Sequence, residues 1–270
     1  MRPAWSWAFQ PGALELVDID IPHDITPEWA WGGSTGAGIK VAVLDSGVDA
    51  SHPWVRSVEG GIALEYDAET PGGVSFHEGP HEDLYGHGTA CAGIIRRVAP
   101  DCEIHSVRVL GSKLTGKGFI FAAGLEWALR EGMRVVNLSL STGKRDYYSV
   151  FHRLADEAVF KRSMLVCAIN NMPGLSFPAQ YSSVFSVASH EDVADPFAFD
   201  FNPSPPAEWG APGIDVEVPW LDQKTIVATG NSFAAPHISG ILTLILSKHP
   251  ELTPFQAKTV LMALARNIRS

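Results

Sequence analysis

The sequence predicts an α/β fold in three layers, with a mostly parallel, doubly wound β-sheet between two layers of helices. Short aliphatic runs of strand length alternate with segments of helix length, which is the pattern of parallel strands joined by helical crossovers. Small and polar residues follow several of the strands, as expected where an open α/β sheet places its functional site. With 270 residues, the chain is long enough to bury a large core as one unit.

Five segments are predicted as strands because β-branched and aliphatic residues run through them, the pattern of a strand buried on both faces. They are Lys40–Asp45, Glu103–Leu110, Val135–Ser141, Ser163–Ile169 and Val184–Ala188. Helices are predicted after His87 and Ser232, over Phe119–Arg130 and Val150–Phe160, and from Thr253, where a capping box with Gln256 begins the last helix. Two stretches rich in proline, aspartate and aromatic residues are predicted as surface loops: Ala68–His81 and Asp195–Trp209.

The segment Val41–Gly47 places an aspartate, Asp45, at the carboxyl end of the first predicted strand. An aspartate after a strand is by itself an ordinary turn former. A second segment changes this interpretation: His87–Gly93 begins with an imidazole and continues with small residues that allow a helix to pack closely on its neighbours.

A third segment, Gly230–Pro236, places Ser232 at the start of a helix that is apolar nearly all round and is therefore predicted to be buried. Serine is also a favoured N-cap residue, and the two roles are compatible. Pro236 is predicted to lie in the first turn, where its missing N–H would be unpaired in any case.

The three segments supply the parts of one catalytic unit. A serine hydroxyl becomes nucleophilic when a histidine takes its proton and a carboxylate orients that histidine. Here the order along the chain is Asp, His, Ser, whereas chymotrypsin-like enzymes have His, Asp, Ser and α/β-hydrolases have Ser, Asp, His. On these motifs, the chain between about residues 39 and 250 resembles the subtilisin-like serine proteases, the subtilases. The resemblance implies a subtilisin-like fold, with Ser232 as nucleophile, His87 as general base and Asp45 as the residue that orients it.

The resemblance also implies an oxyanion hole and a substrate cleft. Asn170 is preferred over the adjacent Asn171 as the side-chain donor to the oxyanion, because Ala168–Asn170 aligns best with the Ala-Gly-Asn of the family. The segment Val135–Ser141 should pair with the substrate backbone, and Lys113–Gly118 should form the opposite wall. The candidate substrate-binding residues are Ser139, Leu140, Ser141, Leu114, Gly116 and Ser176. Ser141 and Ser176 should narrow the pocket for the residue before the cleaved bond, which favours a small or medium side chain.

Three departures from the family pattern affect the predicted site. Asn231 precedes the nucleophile where the family commonly has threonine, whose hydroxyl can assist the oxyanion hole. Because an amide can also donate, we expect retained but altered activity. Ala90 replaces a frequent second histidine. The loop that holds calcium in many secreted subtilisins is missing between Arg96 and Val98, so we expect no strong calcium site of that type, no catalytic metal and no cofactor.

Composition and sequence patterns limit which partners and which cellular location we expect. The net charge of −10 without a basic stripe argues against nucleic acid. The resemblance to subtilases implies a peptide or protein substrate. No apolar run reaches the roughly 18 to 20 residues that would span a membrane, and no signal peptide is recognisable, so we expect no membrane partner. Three cysteines, Cys91, Cys102 and Cys167, cannot all pair with one another, and this low, odd count is typical of a reducing compartment. We therefore predict a cytoplasmic protein.

The domain prediction is an N-terminal segment over residues 1–30 and a single catalytic domain over residues 31–270. Only a short stretch precedes Asp45, which is too little for the folding prodomain of secreted subtilisins. Either the chain folds unaided or a longer precursor has been trimmed, and the initial methionine favours the first. Met1–Leu16 is a candidate for a short inhibitory leader.

Several other functions compete with a general protease. His77–His81 matches the zinc-protease pattern H-E-x-x-H, but Gly79 and Pro80 would break the helix that this chemistry needs. A dinucleotide site is disfavoured because the glycines before Lys40 precede the strand rather than follow it. The remaining alternatives are a subtilase dedicated to one precursor, with hydrolysis or transpeptidation by the same residues, and a non-catalytic binding protein of this fold.

Overall fold

The computed structural model describes residues 24–79 and 82–268. The candidate leader Met1–Leu16 and the residues Pro80 and His81 lie outside this part of the chain. The described strands are β1 Lys40–Asp45, β2 Gly60–Tyr66, β3 Val74–Glu78, β4 Glu103–Arg108, β5 Val135–Leu138, β6 Met164–Ala168, β7 Phe185–His190, β8 Asp200–Phe201, β9 Trp209–Pro212, β10 Val216–Trp220 and β11 Lys224–Ala228. The described helices are α1 Pro27–Trp31, α2 His87–Val98, α3 Gly118–Arg130, α4 Tyr148–Phe160, α5 Asn231–Lys248 and α6 Pro254–Leu264.

Nine of the strands form one sheet in the order β3-β2-β4-β1-β5-β6-β7-β9-β8. All neighbours are parallel except the two edge pairs, β2 with β3 and β8 with β9, which are antiparallel. The chain adds β4 on one side of β1 and β5 on the other, so the strand order changes direction at β1. Asp45 ends β1, and a reversal of strand order is where open α/β sheets form their clefts.

Each face of the sheet is covered by helices, which confirms the predicted three-layer architecture. One core cluster joins the sheet to α1, α2, α5 and α6, and the second joins it to α3 and α4. The strands β1, β5 and β6 are buried almost throughout because both of their faces contact these clusters. This double coverage explains why their sequences read as continuous apolar runs rather than alternating ones.

The five predicted strands are all present, with ends that shift by a few residues. The strands at the two edges of the sheet were predicted less well. The stretch predicted as a loop over Ala68–His81 contains β3, and the loop predicted over Asp195–Trp209 contains β8. Both are edge strands that pair on one side only, and β3 is half-buried or exposed along its length, so they lack the apolar run that identified the central strands.

The H-E-x-x-H match does not lie on a helix where the structure describes it. His77 and Glu78 belong to the strand β3, and Gly79 has a φ of 117°, a left-handed conformation that would end a helix. The two imidazoles of such a zinc motif must face the same way from one helix. The interpretation of this motif as a chance match is therefore supported over residues 77–79.

The segment that leads into the sheet is part of the folded core. Ala30 of α1 is fully buried, and the Trp29 indole stacks on the His249 ring with 4.2 Å between ring centroids. Within the described residues, no helix has the length and apolar character needed to cross a bilayer.

Candidate active site

The carboxylate of Asp45 and the imidazole of His87 form a buried pair. His87 Nδ1 lies 2.8 Å from both carboxylate oxygens of Asp45. Asp45 has no exposed surface and His87 is 5% exposed. Because the carboxylate can only accept, His87 Nδ1 carries the hydrogen, and its Nε2 is left as the basic atom of the neutral ring.

A close approach between α2 and the end of β1 makes this pair possible. A Cβ atom on Gly88 would clash with the carbonyl oxygen of Gly47 and lie 3.0 Å from Cβ of Asp45. Only glycine at this position lets the first turn of α2 touch the strand end. The small residue after the histidine is therefore a requirement of the geometry.

A second buried carboxylate, Asp83, lies behind the pair. Asp83 accepts hydrogen bonds from the backbone N–H groups of Tyr85, Gly86 and Thr89 and from the Thr89 hydroxyl, at 2.6–2.9 Å. The Ser46 hydroxyl lies 2.8 Å from Asp83 Oδ1 and 3.2 Å from Asp45 Oδ1, so it bridges the two carboxylates. Asp83 thereby anchors the turn that leads into α2.

These charges set the protonation behaviour of His87. Burial disfavours the imidazolium, but the charge and hydrogen bond of Asp45, with a smaller contribution from the charge of Asp83, outweigh it and raise the pKa of His87 above 6.5, its ordinary value. A raised pKa makes the ring a stronger proton acceptor, which suits a general base.

Ser232 is the second residue of α5, and its backbone carbonyl is bound by a side chain from outside the helix. Pro236 lies inside the helix, not in its first turn as the sequence predicted. Because proline has no N–H, the Ser232 carbonyl has no helical partner. The Ser139 hydroxyl takes that place, donating to the Ser232 oxygen at 2.7 Å.

Ser139 is itself supported by a buried side chain. The Asn137 amide donates to the Ser139 hydroxyl at 3.0 Å, and the Asn137 oxygen accepts from the Ser239 hydroxyl on α5 at 2.9 Å. This relay ties the end of β5 to the helix that carries Ser232. Ser139, predicted to bind substrate, thus directs its hydroxyl to the nucleophile segment.

His87 and Ser232 line the same cleft of about 400 Å³. Within the described residues their side chains make no direct hydrogen bond, which is common before substrate is bound. The His87 ring packs against Phe233, the next residue of α5, with 5.3 Å between ring centroids. The structure therefore places His87 and Ser232 on one cleft, with Asp45 buried behind His87 and in contact with it.

Asn170 and Asn171 both line the cleft that holds Ser232, and the amide of Asn171 borders the serine hydroxyl. A Cβ atom placed on Gly230 would lie 3.3 Å from Ser232 Oγ and 3.5 Å from Asn171 Nδ2, so both atoms border the same small space. Asn171 Oδ1 accepts from the Asn231 N–H at 2.9 Å, which leaves its NH₂ group to donate. Asn170 Oδ1 instead accepts from the Met172 N–H at 3.2 Å. The geometry thus adds Asn171 as a candidate side-chain donor beside Asn170, the residue that the alignment preferred.

The Asn231 side chain points away from the nucleophile. Its amide donates to the Ile169 carbonyl at 3.0 Å, and its oxygen accepts from both the N–H and the hydroxyl of Ser189 at 2.9 Å. These contacts use the side chain to join α5 to β6 and β7. The side chain is therefore bound to these two strands, and the altered activity expected from Asn231 stays a prediction.

The predicted substrate-binding residues separate into two groups. Leu114 and Gly116 line one side of the cleft, and Leu140 and Ser141 line the other together with Ser139. Ser176 is fully buried behind the wall, where its hydroxyl accepts from the Asn170 N–H at 2.9 Å. Ser176 thus supports the cleft from behind and is not among the residues that line it.

Comparison with known proteins agrees with this geometry. A model of the subtilase family matches residues 36–269. The chain belongs to the subtilase family. Its curated relatives include a thermostable alkaline protease of Halalkalibacterium halodurans, 32% identical over 84% of this chain and 62% of that protein. Subtilisin DY of Bacillus licheniformis is 29% identical over 87% of this chain and 86% of the relative. The alkaline protease of Alkalihalobacillus alcalophilus is 31% identical over all of this chain and 71% of that protein.

A solved structure confirms the fold of this subtilase. The crystal structure of a cold-adapted subtilisin-like serine proteinase aligns with a TM-score of 0.67, covering 86% of this chain and 83% of the other at 23% identity. The chain therefore has the subtilisin-like fold. It spans less than two thirds of the length of the Halalkalibacterium protease.

One thiol lies within the catalytic group of this subtilase. Cys91 Sγ is 3.9 Å from Asp45 Oδ2 and 3.6 Å from the Ser232 carbonyl oxygen, and ligating atoms of Asp45, His87 and Cys91 all lie within 4.8 Å of one another. Burial and the charge of Asp45 raise the pKa of the Cys91 thiol well above its ordinary value. A metal ion here would need the thiolate and would compete with the Asp45–His87 bond, so we interpret the thiol as a packing group.

Sequence reasoning missed three residues of the site. Asp83 could have been suspected because it lies four residues before His87 and precedes a glycine at the helix start. Asn171 was weighed and set aside on alignment alone. Lys144, which lines the cleft, had no signal in the sequence because an exposed lysine resembles any other.

Proposed function

We propose that this subtilase is a serine endopeptidase that hydrolyses peptide bonds through an acyl-enzyme intermediate. One observation carries the proposal: a buried Asp45–His87 pair shares a cleft with Ser232, and the Asn171 amide borders the serine hydroxyl. A basic nitrogen, a hydroxyl and a directed amide are the groups that acyl transfer requires.

In this mechanism Ser232 Oγ attacks the peptide carbonyl while His87 Nε2 takes its proton. Asp45 keeps the Nδ1 hydrogen in place and stabilises the imidazolium that forms. His87 then protonates the leaving amine, which breaks the peptide bond and leaves the acyl group on Ser232. A water molecule, deprotonated by His87 in the same way, hydrolyses this ester and frees the serine.

The negative charge that develops on the carbonyl oxygen is met by two donors. The Asn171 NH₂ group borders the space beside Ser232 Oγ, and the Ser232 N–H is free because it lies in the first turn of α5. Gly230 keeps this space open, since a side chain there would enter it. Donors aimed at charge that exists only in the transition state lower the barrier without tightening substrate binding.

Two further parts of the proposal concern where and how the enzyme works. The proposed location is the cytoplasm, supported by cysteine usage: Cys91, Cys102 and Cys167 are all free and buried. The proposed chemistry uses only side chains and water, so chelators should leave the rate unchanged. Cell fractionation with an antibody and an assay in excess EDTA test these two points.

Hydrolysis of a peptide mixture tests the function itself. We expect the purified full chain to generate new amino termini from a proteome-derived peptide mixture, detected by mass spectrometry, and the Ser232→Ala variant to generate none. Ser141→Ala, which alters a cleft residue but leaves the catalytic groups intact, serves as the matched control and should retain cleavage. A folded wild-type chain that cleaves nothing would refute the proposal and favour a binding protein of the same fold.

A further inference from the structure

The cleft beside the nucleophile carries positive charge on both of its walls. Lys117 lines one wall and Lys144 the other, and among the described residues no carboxylate side chain lines this cleft. The net charge of the chain is −10, so a cleft with cations on both walls has the opposite sign to the chain as a whole. Clefts lined by one sign of charge concentrate ligands of the opposite sign.

Neither ammonium group has an ion-pair partner among the residues that the structure describes. In the part of the chain that the structure describes, the ion pairs include neither Lys117 nor Lys144. The same two loops carry Lys113 and Arg145, also exposed, against a single exposed carboxylate, Asp146. The loops therefore retain an excess of positive charge.

An aromatic ring fixes the position of one of these cations. Lys117 Nζ lies 3.0 Å from the centre of the Tyr66 ring, and the Phe119 ring centre is 5.6 Å away. The face of an aromatic ring attracts a cation without cancelling its charge. Tyr66 is in turn packed edge-to-face on Phe119, with 6.0 Å between centroids. The ammonium group of Lys117 is thus held beside Tyr66, in a neighbouring pocket that shares Gly116 and Lys117 with the cleft, and it keeps its charge.

The opposite cation is placed by the backbone of its own wall. Lys144 N–H donates to the Thr142 hydroxyl at 3.3 Å, and Thr142 forms an antiparallel bridge with Phe177 through two backbone hydrogen bonds of 2.9 Å. Thr142 and Lys144 continue the wall that begins at Ser139 and Leu140. A peptide bound along this wall passes Lys144 before it reaches Ser232.

We propose that the cleft selects substrate peptides with an acidic side chain a few residues before the cleaved bond, bound between Lys117 and Lys144. The inference rests on the proposed function for its orientation of the peptide and adds to it the chemical class of the substrate. An acidic side chain gains from two cations that have no other ion-pair partner, whereas a basic side chain is repelled by both.

Matched peptides test the selection. A parent peptide cleaved at one bond is varied to Glu, Gln or Lys at the second, third and fourth residues before that bond. We expect Glu to exceed Gln by about two- to five-fold in kcat/KM at one or more of these positions at low ionic strength, as for solvent-exposed charge pairs, and Lys to fall below Gln. The preference should shrink in 0.5 M salt, because exposed charges are screened.

Variants assign the effect to the two lysines. The double variant Lys117→Gln with Lys144→Gln should cleave the Glu and Gln peptides equally. Lys40→Gln is the matched control. Lys40 is an exposed lysine at the amino end of β1, whereas Asp45 and the catalytic site lie at its carboxyl end. Equal rates for Glu and Gln at all three positions in the wild type, or a preference that survives in the double variant, would overturn the inference.

A binding measurement separates this inference from the proposed function. The Ser232→Ala protein is titrated with the same peptides carrying a fluorescent label, and anisotropy gives the affinities. Tighter binding of the Glu peptide, lost in the triple variant that also removes both lysines, supports the inference even if the wild-type chain cleaves nothing. Equal affinities for Glu and Gln peptides overturn it, whether or not hydrolysis is observed.

Discussion

At the scale of single residues, the orientation of the Asn171 amide is set by one hydrogen bond. Its oxygen must face the Asn231 N–H, because a donor there requires an acceptor, and this turns the NH₂ group toward the space beside Ser232. Asn170, the adjacent residue, uses its oxygen in a local turn with Met172. Two neighbouring residues of the same type therefore have different roles.

Asn171→Ala should lower kcat with little change in KM, since the donor acts on charge that appears in the transition state. In subtilisin itself, loss of such a donor lowers kcat by about 100- to 1,000-fold, and we expect the same order here. Asn170→Ala is the matched control and should retain kcat within a few-fold. A larger loss in Asn170→Ala than in Asn171→Ala, from steady-state peptide hydrolysis, would return the role to Asn170.

The raised pKa of His87 predicts the acid limb of the activity profile. The ring must be neutral to accept the Ser232 proton, so kcat/KM should fall as the pH drops through the pKa of the free enzyme, with a midpoint above the ordinary 6.5. Asp45→Asn should lower the pKa, since it removes the charge that stabilises the imidazolium, and should lower kcat severely by leaving the ring in the wrong tautomer. A wild-type midpoint below 6.5 would show that burial outweighs the carboxylates.

The triad could be predicted because its chemistry demands specific residue types next to small residues, at strand and helix ends that the sequence reveals. Asp83 and Lys144 could not be assigned from sequence, because carboxylates and lysines occur throughout the surface of any soluble chain and only the fold shows which face the site. The choice between Asn170 and Asn171 could not be made from the sequence, because an alignment of identical neighbours gives no register.

At the scale of secondary-structure elements, α5 begins with a turn whose hydrogen bonding is completed by another element. Pro236 removes the helical partner of the Ser232 carbonyl, and Ser139 at the end of β5 supplies the replacement donor. The nucleophile is thus held by the sheet as well as by its own helix. Sequence placed Pro236 in the first turn because α5 was assumed to begin later than Asn231.

Ser139→Ala should destabilise the protein by leaving the partly buried Ser232 carbonyl without a strong donor. We expect a loss of about 1–3 kcal/mol in the free energy of unfolding, measured by urea denaturation. Ser141→Ala, two residues further along the same wall and half-buried, should change it by less than about 0.5 kcal/mol. Equal effects of the two substitutions would contradict the proposed role of the Ser139 hydroxyl.

Buried central strands were predicted more accurately than the strands at the edges of the sheet. β1, β5 and β6 were predicted because helices cover both faces and force apolar residues almost throughout, and β4 and β7 because each keeps a shorter buried run. β3 and β8 lie at the two edges of the sheet, and β10 and β11 form a separate two-stranded ribbon, so their sequences are constrained on fewer sides. Such strands are held by pairing with a neighbour, and that tertiary contact leaves little trace in a local pattern.

At the scale of the whole molecule, one buried histidine links stability to pH. His237 of α5 is 4% exposed, and its Nδ1 lies 3.2 Å from the Pro196 carbonyl, to which it must donate. Its Nε2 is buried with no hydrogen-bond partner among the described residues. Burial lowers the pKa of His237 to about 4, the Pro196 contact opposing this only in part.

Because the unfolded chain protonates this histidine below pH 6.5 and the folded chain only near pH 4, the free energy of unfolding should decrease as the pH falls between these values. The full change is about 3 kcal/mol, from the size of the pKa shift. His87 acts in the opposite direction, since its raised pKa adds stability as the pH falls. His237→Gln should flatten the decline in urea unfolding measured from pH 7 to pH 4. An unchanged slope would show that other groups govern acid stability.

The overall architecture followed from the sequence because alternating buried strands and helices admit few arrangements in a chain of this length. The position of the cleft followed as well, since Asp45 ends the strand at which the order of the sheet reverses. The positive charge on both walls of the cleft could not be predicted from the sequence. It depends on two loops, 113–118 and 139–145, that meet only in the folded molecule.

The central claim is that the Asp45–His87 pair activates Ser232. Its most direct test is the rate of covalent labelling by a fluorophosphonate, followed by intact mass and peptide mapping, in the wild-type chain and in Ser232→Ala and His87→Ala. We predict one adduct, on Ser232, that is absent from Ser232→Ala and forms orders of magnitude more slowly in His87→Ala. Labelling of folded wild-type protein at the same slow rate as His87→Ala, or at a residue other than Ser232, would contradict it.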